Sequence, residues 1–364
     1  MKIIWLTTRF PPDPGGMACS AQRLVNSLTD NEHHVNVLHL TQSTQRNIPD
    51  NQNRVITIAE NSLGALEKVF WQHQDLFQDA LFVGFGGNIA GYLAVLWARW
   101  LHKRSVVLFR GNDFDRLIHN PKRAWITHFI LEQAAGIGAV SNEMVHRIQT
   151  LRTGLTKFTP NSIDLTEWTF LDRDLSLAAQ WRQDHVLNDR PVVGMFGELK
   201  YKKGLDLALQ LFTSFEFRKR AYLLTVGKVS DFMQEQLAEQ CPAAWLSVPF
   251  QKKEQLPVYY AASDIVFLPS YFDGMPNVLL ESLALSKVVV ASRAGAFPDV
   301  ISDGETGFLF RTGDAADAAR ALNQALSLSA TQKQKMQNAA RNIIAQNYTP
   351  EREVEVLMQL LVNQ

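Results

Sequence analysis

The chain has 364 residues, of which 46% are hydrophobic and 20% are charged, and its formal net charge is zero. This is the composition of an ordinary globular protein, and the length predicts two domains rather than one. The zero net charge argues against a nucleic-acid-binding protein, because no overall positive field would attract a polyanion.

The cysteines and the N-terminus indicate the compartment. Cys19 and Cys241 lie far apart, and neither belongs to a CxxC pair, so we expect two reduced thiols. The apolar run at residues 3–6 is too short for a signal peptide, and no segment has the length needed to span a bilayer. We therefore expect a cytoplasmic protein, with the inner face of the membrane as an open alternative.

Strand-length apolar runs alternate with helical stretches through the N-terminal half. The predicted strands are residues 2–8, 35–40, 55–59, 80–84, 105–110 and 136–141. Helices are predicted at residues 18–28, 89–102 and 122–133. This alternation predicts a parallel sheet covered by helices on both faces.

The alternation is interrupted at residues 160–190, where polar residues surround Trp168 and Trp181, and we interpret this segment as a connector. It restarts at Pro191. Strands are predicted at 192–197, 222–227, 245–248, 265–269 and 288–291, and helices at 205–212, 232–240, 254–261, 276–285, 315–326, 333–345 and 351–362.

The predicted fold class is therefore α/β, with two doubly wound domains. The first comprises residues 1–163 and the second residues 164–346, and the last helix, within 347–364, is expected to pack back on the first domain. In such sheets, ligands bind at the carboxyl ends of strands.

The first candidate site is the segment GELKYKKG at residues 197–204, which follows a predicted strand and precedes a helix. Its terminal residues, Gly197 and Gly204, allow the backbone to approach a ligand closely. The helix start offers free N–H groups, and Lys200, Lys202 and Lys203 add positive charge. The pattern favours a diphosphate site; the alternative is a solvated lysine-rich loop.

The second candidate site is DGMPNVLLE at residues 273–281. Pro276 suits the first turn of a helix, whose free amides would point at a ligand. Asp273 and Glu281 offer carboxylates that accept hydrogen bonds from sugar hydroxyls and stabilise a developing oxocarbenium ion. The alternative is that they are a helix cap and a surface residue. The remaining candidate contacts are Gly274, Met275 and Asn277.

Together, the two segments resemble the paired signatures of the retaining GT-B glycosyltransferases of family 4. Residues 197–204 resemble the family's GRLxxxKG, and residues 273–281 resemble its EGxPxxxxE. Residues 160–164, 294–299 and 302–307 resemble its PNGVD, GGxPE and DGxTG motifs, and residues 14–16 its glycine loop. The resemblance covers nearly the whole chain and implies a GT-B fold, with two Rossmann-like domains facing a central cleft.

The resemblance implies transfer of a hexose from a UDP- or GDP-sugar, with retention, onto a glycan or lipid-linked acceptor in cell-surface polysaccharide biosynthesis. It implies that Lys203 contacts the donor diphosphate, Glu281 the ribose hydroxyls and Asp273 the hexose. Further implied contacts are Gly15 and Gly16 on the phosphate and acceptor side, and Val248 and Phe250 along the base. We expect no cofactor, no obligatory metal and no nucleic-acid partner.

Three positions depart from the family pattern. Glu198 stands where the family has a phosphate-binding arginine, and Lys200 or Lys202 is the candidate replacement. Asp273 and Asp299 are each one methylene shorter than the family's glutamates. The shorter acids fit either a different donor sugar or altered chemistry.

Arg110 opens the segment RGNDFD at residues 110–115, which resembles the family's HGxD. Its guanidinium is a candidate catalytic group that reaches the donor phosphates or an anionic acceptor. The alternative, which we weight equally, is that Arg110 forms an ion pair with Asp113 or Asp115 and thereby holds the loop. Residues 113–115 also form a DxD, which is a weak metal signal.

Other readings remain open. Residues 84–87, GFGG, suggest an incomplete dinucleotide loop and hence a nicotinamide-dependent oxidoreductase. A non-catalytic nucleotide-sugar-binding protein and an epimerase are further alternatives. Residues 92–104 combine Trp97 and Trp100 with Arg99, and this stretch predicts either a helix packed on the sheet, which we favour, or peripheral contact with an anionic membrane.

Overall fold

The computed structural model describes residues 1–13, 15–41, 54–59, 63–111, 113–187, 189–241 and 244–362. It divides into an N-terminal unit, residues 1–162 with 350–364, and a C-terminal unit, residues 163–349. Of the residues in the motifs above, Pro14 and Asn112 lie outside the described residues.

The described part of the N-terminal unit contains a seven-stranded parallel sheet of order β3-β2-β1-β4-β5-β6-β7. Its strands are β1 Lys2–Thr7, β2 His34–Thr41, β3 Arg54–Ala59, β4 Ala80–Phe85, β5 Ser105–Phe109, β6 Gly136–Ala139 and β7 Leu155–Phe158. Before the chain enters the C-terminal unit, the helices of this unit are α1 Gly16–Asp30, α2 Leu63–Gln72, α3 Gln74–Phe77, α4 Ile89–Trp100, α5 Asp113–Ile118, α6 Ala124–Gln133 and α7 Asn142–Gln149.

The C-terminal unit, over its described residues, contains a six-stranded parallel sheet of order β10-β9-β8-β11-β12-β13. The strands are β8 Val192–Leu199, β9 Tyr222–Val229, β10 Trp245–Val248, β11 Ile265–Leu268, β12 Val288–Ser292 and β13 Phe308–Phe310. The helices are α8 Asp172–Asp184, α9 Leu205–Thr213, α10 Phe215–Arg220, α11 Asp231–Gln240, α12 Leu256–Ala262, α13 Asn277–Ala284, α14 Phe297–Val300, α15 Ala315–Leu326 and α16 Ala330–Asn347.

The last helix, α17, spans Pro350–Val362 and returns to the N-terminal unit. Alternate residues of each strand face opposite sides of a sheet, so two cores form in this unit. Ile3 and Trp5 pack with α1 and α17, whereas Ile4 and Leu6 pack with α2, α3 and α4. The C-terminal unit has a separate core of its own.

All of the predicted strands are present, with bounds shifted by one or two residues at most. The interpretation of residues 160–190 as a connector was wrong, because α8 lies within it and belongs to the C-terminal unit. The sequence did not reveal this helix because it lacks a strong apolar stripe, and the helix buries only Asp174 and Ala178. None of the helices in the described ranges is both long and apolar enough to cross a membrane.

Candidate functional site

Both candidate segments lie where the strand order of the C-terminal sheet reverses. From β8 the chain builds outward through β9 to β10, and then returns to the other side of β8 with β11. Residues 197–199 end β8, the loop 200–204 follows it, and the loop 269–276 follows β11, so the two loops leave neighbouring strands at the same edge. This is the position at which open α/β sheets bind ligands.

The loops are joined by an ion pair between Lys203 Nζ and Asp273 Oδ2. Both side chains are largely enclosed, with 22% and 12% of their surfaces exposed. Gly204 follows with a positive φ of 71°. A Cβ atom there would lie 2.0 Å from the carbonyl oxygen of Pro269, so a glycine is required to bring the two loops this close.

A pocket opens beside this ion pair, between the ends of β8 and β11. Lys203 contributes the cationic group of its lining, and Pro276 and Val278 come from the start of α13. The remaining lining residues are Met195, Phe196, Leu199, Phe267, Leu268, Pro269, Ser270 and Phe297. The pocket is small, about 10 Å³. Its lining cation, Lys203, therefore suits a single anionic group rather than a whole ligand.

The start of α13 differs from the prediction in detail. Pro276 is the residue before the first helical turn, which begins at Asn277. The Gly274 amide donates to Asp273 Oδ1 over 3.0 Å, so the carboxylate of Asp273 receives a hydrogen bond that we expected a ligand to receive. Gly295, with φ of 52°, packs against the Asp273 carbonyl, where a Cβ would lie 1.9 Å away.

Glu281 is held by a residue that the sequence did not single out. Its Oε2 accepts a hydrogen bond of 2.7 Å from the Tyr260 hydroxyl. The Tyr260 ring is fully buried and stacks on Phe196 with centroids 3.9 Å apart. Burial and the neighbouring charge of Glu281 raise the pKa of Tyr260 well above its usual value, so the phenol stays a proton donor.

The other two lysines of the loop occupy different environments. Lys200 Nζ lies 2.9 Å from Glu198 Oε1, and both side chains are more than half exposed. Lys202 is half-buried, and burial lowers its pKa, with the nearby charges of Lys203 and Lys200 acting in the same direction. Glu198 thus partly neutralises Lys200, the residue considered as a replacement for the missing arginine.

Gly197 adopts a φ of 101° beside Gly227, whose φ is 133°. A Cβ on Gly227 would lie 2.1 Å from the Gly197 carbonyl oxygen, and this explains a glycine that sequence reasoning missed. Val248 and Phe250 lie at the end of β10, two strands from β8, and do not line the pocket. Val248 is buried, whereas Phe250 is 74% exposed.

In the N-terminal unit, the corresponding reversal of strand order lies between β1 and β4. Gly15, with φ of 109°, caps α1, which begins at Gly16, and a Cβ on Gly15 would meet open space. The loop after β4 is tied to the loop after β1 by a 2.8 Å hydrogen bond from Asn88 Nδ2 to Thr8 Oγ1. Gly15 and Gly16 therefore lie at the carboxyl edge of their own sheet.

Arg110 is bound inside the N-terminal unit, which does not support the catalytic role that we considered for it. Its guanidinium donates to the Thr159 carbonyl over 3.0 Å, to Asn161 Oδ1, and to Glu353 Oε1 of α17 over 2.6 Å. The side chains of Arg110 and Glu353 are each only 2% exposed. The alternative prediction, that Arg110 pairs with Asp113 or Asp115, was also wrong, because the carboxylate that its guanidinium contacts is Glu353.

The aspartates of the DxD have separate tasks. Asp113 accepts backbone hydrogen bonds from Gly87, Gly111 and Arg110, at 2.8, 3.1 and 3.4 Å. Asp115 pairs with Arg147 at 2.5 Å. Across the described ranges, no cluster of three His, Cys, Asp or Glu residues has the arrangement to hold a metal ion.

Close packing explains Gly84 and Gly87, and a positive φ of 104° explains Gly86. A Cβ on Gly84 would lie 2.5 Å from the Cα of Gly91, and a Cβ on Gly87 would lie 2.0 Å from the Phe109 ring. The segment therefore needs no dinucleotide to account for its composition, and the main observation behind the oxidoreductase reading loses its weight.

Comparison with known proteins points to the C-terminal half of the chain, which contains this pocket. Residues 178–343 match the family model described as "Glycosyl transferases group 1". The N-acetyl-alpha-D-glucosaminyl L-malate synthase of Bacillus anthracis is 25% identical over 234 residues, which cover 62% of this chain and 58% of that protein. The lipopolysaccharide core biosynthesis mannosyltransferase LpcC of Rhizobium leguminosarum bv. viciae is 28% identical over 178 residues, covering 47% and 50%. The chain thus spans about half the length of these relatives.

Among solved structures, HepE from Anabaena in complex with UDP-glucose superposes with a TM-score of 0.79, covering all of both chains at 17% identity. Sucrose-phosphate synthase from Thermosynechococcus elongatus gives a TM-score of 0.82 at 18% identity, covering 99% of this chain and 98% of that one. At these identities the likeness concerns the fold, and it confirms the predicted pair of Rossmann-like domains.

Proposed function

We propose a function from the premise that this chain is a family 4-like GT-B protein, with a glycosyl transferases group 1 domain at residues 178–343. The protein is a hexosyltransferase, and its donor is a UDP- or GDP-sugar. Its acceptor is a glycan or a lipid-linked sugar of a cell-surface polysaccharide, and the anomeric configuration is retained. The names of the relatives, which include sugar transferases and a protein solved with UDP-glucose, support the donor class.

The ion pair of Lys203 with Asp273 carries this proposal. A diphosphate in the pocket takes the ammonium group of Lys203, which stabilises the charge that develops as the nucleotide leaves. Asp273 then loses its cationic partner and presents a carboxylate to the hydroxyls and the developing positive charge of the hexose. Lys203 and Asp273 neutralise each other until the donor binds, and each then contacts a different part of the donor.

Two further features orient the donor. The Tyr260 hydroxyl fixes the carboxylate of Glu281, so that this residue meets the ribose in one orientation. α13 begins beside the pocket, whose lining includes Pro276 and Val278, and the start of a helix offers free N–H groups and a positive dipole end to an anion. The acceptor hydroxyl attacks from the side of the departing phosphate, whose oxygen takes the proton.

The test compares two lysines of one loop. In Lys203→Ala, we expect turnover to fall on the order of 100-fold, since a stabilising charge is lost. The free energy of unfolding should fall by only about 1–3 kcal/mol, because Asp273 keeps its bond from Gly274. Lys200→Ala is the matched control, and it should retain most activity because its exposed pair with Glu198 lies outside the pocket lining.

The assay begins with thermal-shift measurements against UDP-, GDP- and ADP-sugars, since a ligand that binds only the folded state raises its stability. Donor hydrolysis and transfer are then measured with the sugar that gives the largest shift. Equal turnover in Lys203→Ala and the wild type would reject the assigned role. Binding without any hydrolysis would favour the non-catalytic nucleotide-sugar-binding protein.

A further inference from the structure

Helix α4 presents an apolar face to solvent in addition to the face that packs on the sheet. Leu93 and Trp97 are buried, as predicted for a packed helix. Tyr92 and Leu96, however, are only half-buried, and Trp100 is 49% exposed. Arg99 is the only charged residue within α4. A surface helix normally has charged or polar residues on its outer face, so this one is unusual.

Neighbouring helices extend this apolar face on both sides. Trp71 of α2, 57% exposed, and Trp100 both contact Phe70 edge-on, at centroid distances of 5.2 and 5.1 Å. Trp125 of α6, 53% exposed, contacts Tyr92 edge-on at 5.1 Å. Tyr92, Leu96 and Trp100 follow at helical spacing over about 12 Å of α4. We call the surface formed by Trp71, Trp100 and Trp125, with Tyr92 and Leu96 between them, the tryptophan face.

Positive charge is concentrated at the Trp125 end of this surface. Residues 116–128 contain Arg116, Lys122 and Arg123 and no acidic residue, and all three of these side chains are exposed. At the other end the charges are mixed, since Lys103 pairs with Asp79 at 3.1 Å. Two more exposed acids, Glu67 and Glu132, lie on α2 and α6.

We propose that the tryptophan face rests on an anionic lipid surface. Tryptophan has an apolar ring and a polar N–H, and it is enriched at the boundary between lipid tails and headgroups. Half-exposed tryptophans lie here beside a group of cations with no acidic residue among them. This combination matches a membrane surface, which is apolar in its interior and negatively charged at its headgroups. This binding concerns the N-terminal unit alone and does not depend on the transfer reaction.

The experiment measures sedimentation of the full chain with vesicles of phosphatidylcholine, alone or mixed with phosphatidylglycerol. We expect binding to the mixed vesicles, and we expect added salt to weaken it because exposed charges are screened. Lys122→Ala and Arg123→Ala should each weaken binding about fivefold. Trp100→Ser and Trp125→Ser should each weaken it on the order of tenfold, because each removes a large apolar ring from the contact.

The matched control is Phe232→Ser in the C-terminal unit, which removes an aromatic ring that is more exposed than either tryptophan (67%) and should leave binding unchanged. Circular dichroism and melting temperatures verify that each variant is folded. Quenching of tryptophan fluorescence by vesicles with brominated acyl chains should occur in the wild type and decrease in Trp100→Ser. The proposal is overturned if the wild type does not bind the mixed vesicles, or if the tryptophan variants bind as well as the wild type. Tryptophan-dependent self-association without vesicle binding would also overturn it, in favour of a second copy of the chain.

Discussion

Lys287, which immediately precedes β12, has its ammonium group in a confined site. Nζ donates to the carbonyl oxygens of Ser263 and Ala261, at 2.9 and 3.4 Å, and lies 5.1 Å from the centre of the Phe170 ring. Burial lowers its pKa from the ordinary 10.5 to about 8, although the nearby Asp264 opposes this shift. The folded protein therefore loses this proton at a lower pH than the unfolded chain does.

A pH dependence of stability follows. Between about pH 8 and pH 10.5, the unfolded state binds more protons at this position, so the free energy of unfolding should rise with pH. The contribution of Lys287 should approach about 1.4 kcal/mol per pH unit. Lys287→Met should lack this increment in urea unfolding measured from pH 7 to pH 10. Stability curves that run parallel in the two proteins would contradict the assignment.

At this scale the sequence predicted the positions of groups better than their partners. The resemblance of residues 197–204 and 273–281 to family motifs implied that Lys203 and Asp273 contact one donor, and the structure pairs their side chains. The motif around Arg110 could not reveal its partner, because Glu353 lies 243 residues further along the chain. Tyr260 was missed because a tyrosine in a helix has no local pattern that marks a hydrogen bond to Glu281.

Among the elements, α17 is attached by two kinds of contact. Val354, Leu357, Leu360 and Leu361 are buried against the N-terminal sheet and α1. Glu353 accepts from Arg110 and from Ser162 Oγ, the latter at 2.5 Å. The helix is therefore held by both apolar packing and a buried polar network.

Removal of one partner from this network should be costly. Glu353→Ala leaves the Arg110 guanidinium without its carboxylate in a buried site, and we expect a loss of about 3–5 kcal/mol in the free energy of unfolding. Nucleotide binding by the folded variant should remain, since the pocket lies in the C-terminal unit. Urea unfolding and a UDP titration of the same sample check both statements. A folded Arg110→Ala protein of normal stability that no longer binds donor would restore the role that we first considered for this arginine.

Element prediction succeeded where a single periodicity dominates. β8 and β11 begin as continuous apolar runs, and both were predicted. β7 and β13 were not predicted, because β13 has only three residues and β7, with the sequence LTKF, is half-buried along its length. α8 exposes Leu175 and Leu177 and buries Asp174, so its pattern inverts the usual relation between polarity and burial.

For the whole molecule, the alternation of strands and helices was sufficient to predict two doubly wound sheets. The C-terminal unit is a continuous stretch of chain with its own sheet and core. Residues 163–349 produced alone should therefore fold cooperatively and bind UDP within a few-fold of the full chain, without transfer activity. Calorimetry of the fragment with UDP checks this, and an unfolded fragment would show that its core is insufficient.

The return of α17 to the N-terminal unit affects how the protein is made. A ribosome releases residue 353 only after the whole C-terminal unit has been synthesised, so the first unit begun is the last to be completed. Until then the nascent sheet displays the apolar surface that Leu357, Leu360 and Leu361 will cover, and Arg110 has no counter-ion from Glu353. During translation this surface is a natural target for a chaperone that shields hydrophobic patches.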